Sequence, residues 1–386
     1  MRRYVFIAGA ILSLLLQAGC WDKAELTEYG FVQAVAVDHN ENDQVELTTL
    51  FYKPSGGGEQ GITTNQKGQP SLIIKTQAET VFEAIRDIPV MLGRKAKWDH
   101  MRVILISEKS AREHSLKEIL DYFSRDHEPR ATVLMMIAKG NDVSKYLMMK
   151  PFIENTIGQQ LRKTEETGAL YSAKTTRTTF LDVAMQLKNQ TGVGAIPFLS
   201  ESIRVPGSPA VAGLALIKNG KMVELIASKD VQYLIMMTKQ FRSGVIEVPC
   251  VGKEGQARKK ESFEVVKLVA KLNPIVSKGK VTVNVNINIM GDANELYCSS
   301  LLTPEETTVF QNQVVETVEE NLKRVIEHLQ KEKIDALGIG DKLSRKEPQL
   351  WKKWKEDWDE HFAESQFSFK IKVDVRNTGT TVGKTF

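Results

Sequence analysis

The chain has 386 residues, with 52 Lys and Arg against 48 Asp and Glu, which gives a formal net charge of +4. A balance this even argues against nucleic-acid binding, because nucleic-acid binders usually concentrate basic residues on one face or in one arm. The hydrophobic content of 42% and charged content of 26% exclude a largely disordered chain, and the length predicts about two or three domains.

Residues 1–19 predict an export signal. Arg2 and Arg3 precede a mainly apolar run, Val5 to Leu16, which small residues follow. Twelve residues make about 18 Å of helix, short of a hydrocarbon core of roughly 30 Å, so a removable signal peptide is favoured over a permanent membrane span. Without the two arginines the balance is 50 (52 minus 2) basic against 48 acidic residues, or +2.

Cys20 changes this prediction from a secreted to a lipid-anchored protein. Ala18-Gly19-Cys20 resembles a lipobox, although Gln17 stands where Leu is usual. The resemblance implies a covalent diacylglyceryl group on the cysteine sulfur and, where the new amine is also modified, an N-acyl chain such as palmitate. Two acyl chains hold a protein stably at a membrane, whereas one holds it marginally. An ordinary signal peptide with an incidental cysteine is the alternative.

Two further cysteines remain, Cys250 and Cys298. Export permits a disulfide bond between them, but spacing along the chain does not reveal connectivity. Free cysteines are usually buried, so two buried free thiols are the favoured interpretation.

The mature chain begins with a predicted membrane tether, residues 20–30, followed by an N-terminal α+β domain over residues 31–140. Apolar runs at 31–37 and 45–52 predict a β-hairpin, and the Gly-rich segment 55–70 predicts a mobile loop. Further runs predict a strand at 72–75, a helix over 81–92, a strand at 103–106, a helix from Ser115 through Phe123, and a strand at 132–137.

Residues 141–209 carry weaker patterns and predict a small middle domain or an elaborate connection.

Residues 210–386 predict a C-terminal α+β domain. Asn219-Gly220 suits a type I′ hairpin turn, and apolar residues alternate strictly along 281–289 and 367–375. Thr303-Pro304-Glu305-Glu306 begins a long helix. An antiparallel sheet with two covering helices is expected, within a multidomain α+β fold whose sheets are mixed or antiparallel and flanked by helices.

Motifs for catalysis, metal binding or cofactor binding are not evident in the sequence. The six histidines lack zinc-ligand spacing, and neither a Walker sequence nor a Gly-x-Ser-x-Gly elbow occurs. Trp351, Trp354, Trp358 and Phe362 lie at helical spacing and could form an exposed platform, but such a stripe is more often core. A non-enzymatic protein without a cofactor or metal is therefore expected.

Several stretches in the right order resemble the Ger(x)C family, the lipoprotein C subunits of nutrient germinant receptors in endospore-forming bacteria. The matching stretches are Gly19-Cys20-Trp21-Asp22, Glu25-Leu26, Leu92-Gly93-Arg94 with His100, Val103 to Glu108, Leu120-Asp121 with Arg125-Asp126, Ala138-Lys139-Gly140, Asp335 to Gly340, Trp354, Trp358 and Phe362, and the strand ending near Asn377-Thr378-Gly379. They span essentially the whole chain.

The resemblance implies a three-domain lipoprotein at the extracytoplasmic face of the cell membrane, on the outer leaflet of the inner membrane in spores. It implies a complex with two integral membrane subunits, called A and B, that is required for the response to nutrients. Catalytic residues are not part of the family pattern, so Arg94, His100, Trp354 and Trp358 are expected to be structural or to contact a partner. A substrate-binding lipoprotein of an import system is the alternative and would show two similar lobes of alternating strands and helices; a secreted hydrolase is a more distant one.

Overall fold

The structure is a computed structural model that describes residues 2–4, 25–53, 71–250 and 259–378. The predicted lipidation site Cys20, its signal peptide and the predicted loop 55–70 lie outside this part of the chain. A short 3₁₀ turn, Leu26–Glu28, leads into the first strand.

Thirteen strands are described. In chain order they are β1 (Tyr29–His39), β2 (Val45–Tyr52), β3 (Ser71–Ala78), β4 (Lys95–Lys97), β5 (Val103–Ser107), β6 (Leu134–Ala138), β7 (Val193–Glu201), β8 (Pro209–Lys218), β9 (Lys221–Ile226), β10 (Gly244–Pro249), β11 (Lys260–Ser277), β12 (Lys280–Glu295) and β13 (Gln366–Asn377).

Thirteen α-helices are described between these strands. They are α1 (Val81–Arg86), α2 (Ile88–Leu92), α3 (Glu108–Glu113), α4 (Leu116–Ile119), α5 (Asp121–Arg125), α6 (Ser144–Met148), α7 (Ile157–Tyr171), α8 (Phe180–Gln186), α9 (Ser228–Met236), α10 (Pro304–Lys331), α11 (Ile339–Lys346), α12 (Pro348–Trp354) and α13 (Trp358–Ala363). Within the described residues, none of the helices has both the length and the apolar character that crossing a bilayer requires.

The first nine strands form one mixed sheet in the order β3-β2-β1-β5-β6-β7-β8-β9, with β4 beside β1. Strands β1, β5, β6 and β7 are parallel, and the hairpins at both edges are antiparallel. The predicted boundaries at residues 140 and 209 both fall within the stretch of chain that builds this sheet. The division into three domains stays a prediction.

Strand β1 is buried on both faces. Val35 and Val37 pack into the core under α1, α3, α4 and α5, whereas Ala34 and Ala36 pack into a separate core with α6 and α7. A strand covered on both sides needs apolar residues at successive positions, which explains the continuous apolar run in the sequence. Helix α7 comes close to β1 because Gly158 lacks a side chain: a Cβ there would lie 3.0 Å from the Gln33 carbonyl oxygen.

The helix predicted over residues 81–92 is two helices, α1 and α2. Proline has no backbone N–H, so Pro89 cannot donate to the carbonyl of Ile85, and the chain bends at Asp87. The helix predicted to run from Ser115 to Phe123 is likewise divided, at Leu120. The predicted turn at Asn219-Gly220 is confirmed, with φ of 52° and 88°.

The second sheet has the order β10-β11-β12-β13 and confirms the predicted α+β class, with one difference from the expected antiparallel arrangement. The first three strands are antiparallel, but β13 runs parallel to β12 and pairs Thr282 with Gln366. Helices α10 to α13 return the chain to the start of β12, and such a crossover connection gives a parallel pair.

Helix α10 covers the second sheet with a stripe of buried residues: Phe310, Val314, Val318, Leu322, Val325 and Leu329. Its predicted start is confirmed, since Thr303 and Glu306 form a reciprocal capping box. The same core includes Leu214 and Leu216 of β8 and residues of α9, so the two sheets share one continuous apolar core.

Asp335 organises the helices beyond α10. Its buried carboxylate accepts hydrogen bonds from the backbone N–H groups of Ile339 and Gly340, at 2.9 and 2.7 Å, and from Trp358 Nε1 at 3.0 Å. Burial raises the pKa of Asp335, and the three donors act in the opposite direction. Gly338, at φ +64°, is the residue that precedes α11 as its N-cap.

Cys250 and Cys298 form a disulfide bond, so the expectation of two free thiols was wrong. Cys250 directly follows β10, and Cys298 lies three positions after β12. Both strands pair with β11, so the two cysteines meet at the same end of the sheet, with their Cα atoms 5.9 Å apart. Glu261 lies beside the bond and accepts from the backbone N–H groups of Tyr297, Cys298 and Ser299.

We expect the double variant Cys250→Ala, Cys298→Ala to lose stability. Closing a loop of 48 residues lowers the entropy of the unfolded chain, and the chain-entropy model gives about 4 kcal/mol as an upper value. Chemical denaturation would measure the loss. Reductant should lower the midpoint of the wild-type protein and leave that of the double variant unchanged; a wild-type midpoint insensitive to full reduction would contradict a stabilising bond.

Asp335→Ala should lower the free energy of unfolding by about 3 kcal/mol or more, because three buried N–H donors lose their acceptor and each costs about 1–3 kcal/mol. Asp357, which is exposed and directly precedes Trp358, provides the control, and Asp357→Ala should change stability by no more than about 0.5 kcal/mol. Equal midpoints for the two variants in denaturant would show that Asp335 does not hold these helices together.

Candidate functional site

The residues predicted to be functional fall in two regions. Arg94 and His100 lie at the end of the first sheet where β1 begins, and Trp354 and Trp358 lie in the C-terminal helices. Cys20 is outside the described residues. Glu25, five positions after it, begins the described segment that leads into β1. The predicted anchor is therefore close in sequence to the end that carries Arg94 and His100.

Strand directions bring distant parts of the chain together at this end. Strand β1 begins here, and its antiparallel neighbour β2 ends here, while β3 and the parallel β5 also begin here. We call this region the entry surface. It consists of the 3₁₀ turn, the chain near Tyr52 and Leu72, helix α2 together with Arg94, and the segment from His100 to Arg102. A groove of about 860 Å³ crosses it. Its lining includes Leu26, Tyr29, Tyr52, Leu72, Leu92 and Arg94.

Arg94 reaches the entry surface because Gly93 ends α2. Gly93 adopts φ +65°, which L-residues with side chains rarely adopt, and its N–H bonds to the Pro89 carbonyl. The chain then turns into β4, which pairs with the start of β1. Arg94 is exposed and forms no ion pair with any residue that the structure describes. It is thus available to an external anionic group.

His100 is held by its neighbours. Its ring packs edge-on against Phe31 at 5.3 Å, and its Nε2 lies 3.8 Å from the Asp99 carboxylate. Two positions on, Arg102 donates its backbone N–H to the Gln33 carbonyl of β1 at 2.8 Å. These contacts fix the loop between β4 and β5, while about half of the His100 side chain remains exposed. The His100 ring thus packs against β1 on one side and is accessible on the other.

The tryptophan stripe lies mainly in the core. Trp351 and Trp358 are buried and meet edge to face at 5.3 Å, and Phe362 is fully buried beside them. Trp354 is partly buried and stacks on the His361 ring at 4.0 Å. The burial of Trp358, together with its hydrogen bond to Asp335, leaves it no free surface for a partner.

A polar cluster at the other end of β1 was not identified from the sequence. The Asp38 carboxylate accepts from Ser107 and Ser110 at 2.6 and 3.0 Å, and Ser110 Oγ lies 2.9 Å from His39 Nδ1. His39 stacks on His114 with ring centroids 3.7 Å apart. Burial, and then the neighbouring His114, lower the pKa of His39.

This arrangement of Asp, His and Ser superficially resembles a nucleophile with its base, but Ser110 is fully buried. A substrate cannot reach its hydroxyl, so the cluster joins β1, β5 and α3 instead of performing catalysis. A hollow of about 750 Å³ lies outside it. Among its lining residues, Arg125 donates to Asp121 at 2.7 Å and the Tyr122 hydroxyl donates to Asp126 at 2.5 Å. The sequence offered one clue: Asp38 and Ser107 both end buried apolar runs.

Another chemical cluster comprises Cys250, Glu261 and Cys298, whose ligand atoms lie within 4.8 Å of one another. Because the two sulfurs are bonded to each other, neither is a thiolate that could bind a metal ion. The Glu261 carboxylate is occupied by its hydrogen bonds to the segment after β12.

Comparison with known proteins identifies the chain's relatives. Residues 22–201 match the family model described as spore germination protein N-terminal domain, and residues 212–379 match the model described as spore germination B3/GerAC like, C-terminal. The chain is 25% identical to spore germination protein B3 of Bacillus subtilis (strain 168), covering 96% of each. It is 23% identical to spore germination protein KC of the same organism, covering 98% of this chain and 97% of that protein.

The fold also matches a solved structure. The crystal structure of the GerBC protein superposes with a TM-score of 0.57 at 22% identity, covering 89% of this chain and 97% of that one. This similarity concerns the fold, and the family models concern the sequence of nearly the whole chain. On the sequence match the chain belongs to the Ger(x)C family of spore germination proteins.

Proposed function

We propose that this protein is the lipid-anchored, non-catalytic C subunit of a nutrient germinant receptor, required for spore germination and acting in a complex with integral membrane A and B subunits. The observation that carries the proposal is the match of both spore germination models, in order, over residues 22–201 and 212–379. Relatives that match over nearly their whole length also carry spore germination in their names.

The anchor is Cys20, modified with diacylglyceryl and, at its amine, with an N-acyl chain. The basic, apolar and small residues before Cys20 support this assignment. The Cys250–Cys298 disulfide supports a location outside the cytoplasm, because structural disulfides persist in oxidising compartments. The protein then lies at the extracytoplasmic face of the cell membrane and, in spores, on the outer leaflet of the inner membrane.

A non-catalytic role is supported by how the polar clusters are used. The Asp38 cluster and the Glu261 cluster each satisfy their acceptors with internal donors. The anchor would instead act by confinement, since holding two proteins on one membrane raises their effective concentration. The import-lipoprotein alternative expects two similar lobes, whereas the described residues form sheets of nine and four strands.

Replacing Cys20 with Ala should remove the acyl chains and move most of the protein from the membrane fraction to the soluble fraction, because the two-chain anchor is lost. Labelled palmitate should enter the wild-type chain but not the variant. Gln17→Leu is the matched control and should keep both the label and the membrane location. A Cys20→Ala chain that remains fully membrane-bound in spores that germinate normally would refute the anchoring.

The receptor assignment predicts that the tagged protein, solubilised from spore membranes in mild detergent, co-purifies with two integral membrane proteins. Spores lacking the gene should lose the response to at least one nutrient supplied alone. The Cys20→Ala chain should co-purify in reduced yield. Recovery of the protein alone, together with unchanged responses to every single nutrient tested, would contradict membership of a receptor.

A further inference from the structure

The entry surface exposes large apolar side chains. Leu26 in the 3₁₀ turn is 77% exposed, and Val90 and Met91 in α2 are 84% and 58% exposed. The buried Ile88 fixes α2 to the core, so its outward residues are held in place by the fold. Clustered exposed apolar side chains on a soluble domain mark an interaction surface.

The position of the predicted anchor limits what this surface can face. Five residue steps separate Cys20 from Glu25, and even a fully extended chain spans no more than about 18 Å over that length. An acyl chain on Cys20 is inserted in the bilayer, so Glu25 lies within that distance of the membrane. Leu26 and the start of β1 follow immediately, which keeps the entry surface next to the lipid.

The charges of the entry surface suit a membrane that contains anionic lipid. Arg94 is exposed and forms no ion pair among the described residues. Nearby, Arg102 has a buried Nε without a hydrogen-bond partner among those residues, and with Arg130 it lines a hollow of about 230 Å³. Glu25, Glu28 and Asp99, which lines the same hollow, oppose this charge, so the basic excess is small and the apolar contacts carry most of the attraction.

We propose that the entry surface lies directly on the bilayer, with Leu26, Val90 and Met91 inserted among the lipid headgroups and Arg94 at the level of the lipid phosphates. The proposal rests on the proposed acyl anchor at Cys20 and adds an orientation to it. The anchor limits distance, and the apolar side chains fix which end of the first sheet faces the lipid. The C-terminal ends of β5, β6 and β7 then point away from the membrane.

The test compares two exposed apolar positions at opposite ends of the sheet. Val90 is on the entry surface. Ile203, which is 98% exposed, follows the C-terminal end of β7, at the opposite end of the sheet. Val90→Cys and Ile203→Cys would each be made in the acylated full chain. Acylation blocks Cys20 and the disulfide blocks the other two cysteines, which leaves one thiol for a nitroxide spin label.

The labelled proteins would be reconstituted in vesicles of phosphatidylcholine and phosphatidylglycerol, without other proteins, and checked by flotation. At position 90, collisions with a water-soluble nickel reagent should fall by about threefold or more relative to position 203, because the interface excludes the reagent. Collisions with oxygen at position 90 should rise, since oxygen concentrates in the bilayer.

Three outcomes would overturn the orientation. If the protein floats but both labels are equally accessible to nickel, the anchor holds and the entry surface does not touch lipid. If position 90 is protected in native spore membranes but not in these vesicles, the surface binds a protein partner and not the bilayer. If the acylated chain does not float, the anchor itself fails and the orientation fails with it.

Discussion

The pairing of β1 is the interaction on which the rest of the structure depends. Its backbone hydrogen-bonds to β2 on one side and to β4 and β5 on the other, and helices cover both of its faces. The other strands of the first sheet extend outward from β1 in both directions, each pairing with the strand before it in the sheet order. Because β1 begins within ten residues of the predicted anchor, the same strand that centres the sheet also carries the restraint from the membrane. Folding and orientation are therefore set by one segment.

Local sequence patterns predicted the elements that depend on local forces. The alternation along β12 and β13, the Asn219-Gly220 turn and the capping box at Thr303 each follow from interactions within a few residues, and the structure has all three. The division of the helix over 81–92 was also local, and Pro89 was the available clue.

Features that join distant residues could not be predicted in the same way. The disulfide bridges a separation of 48 residues, and the parallel direction of β13 depends on the path of four helices. The polar cluster joins Asp38 to Ser110 across 72 positions, which no spacing rule relates. Among the candidate site residues, Arg94 and His100 came from family resemblance alone; the groove beside Arg94 needs the ends of several strands, which only the folded chain brings together.

The parallel pairing of β12 with β13 has a consequence for how the chain reaches its native state. Lys280 at the start of β12 and Gln366 at the start of β13 are 86 positions apart (366 minus 280), so this sheet can be completed only after the last part of the chain is available. Contacts across such separations form slowly, because loop closure costs entropy before the contact is gained. Until then one edge of β12 stays open and the apolar face of the sheet is incompletely covered. A nascent or truncated chain that ends before Gln366 would carry an exposed strand edge, which is the usual starting point for aggregation.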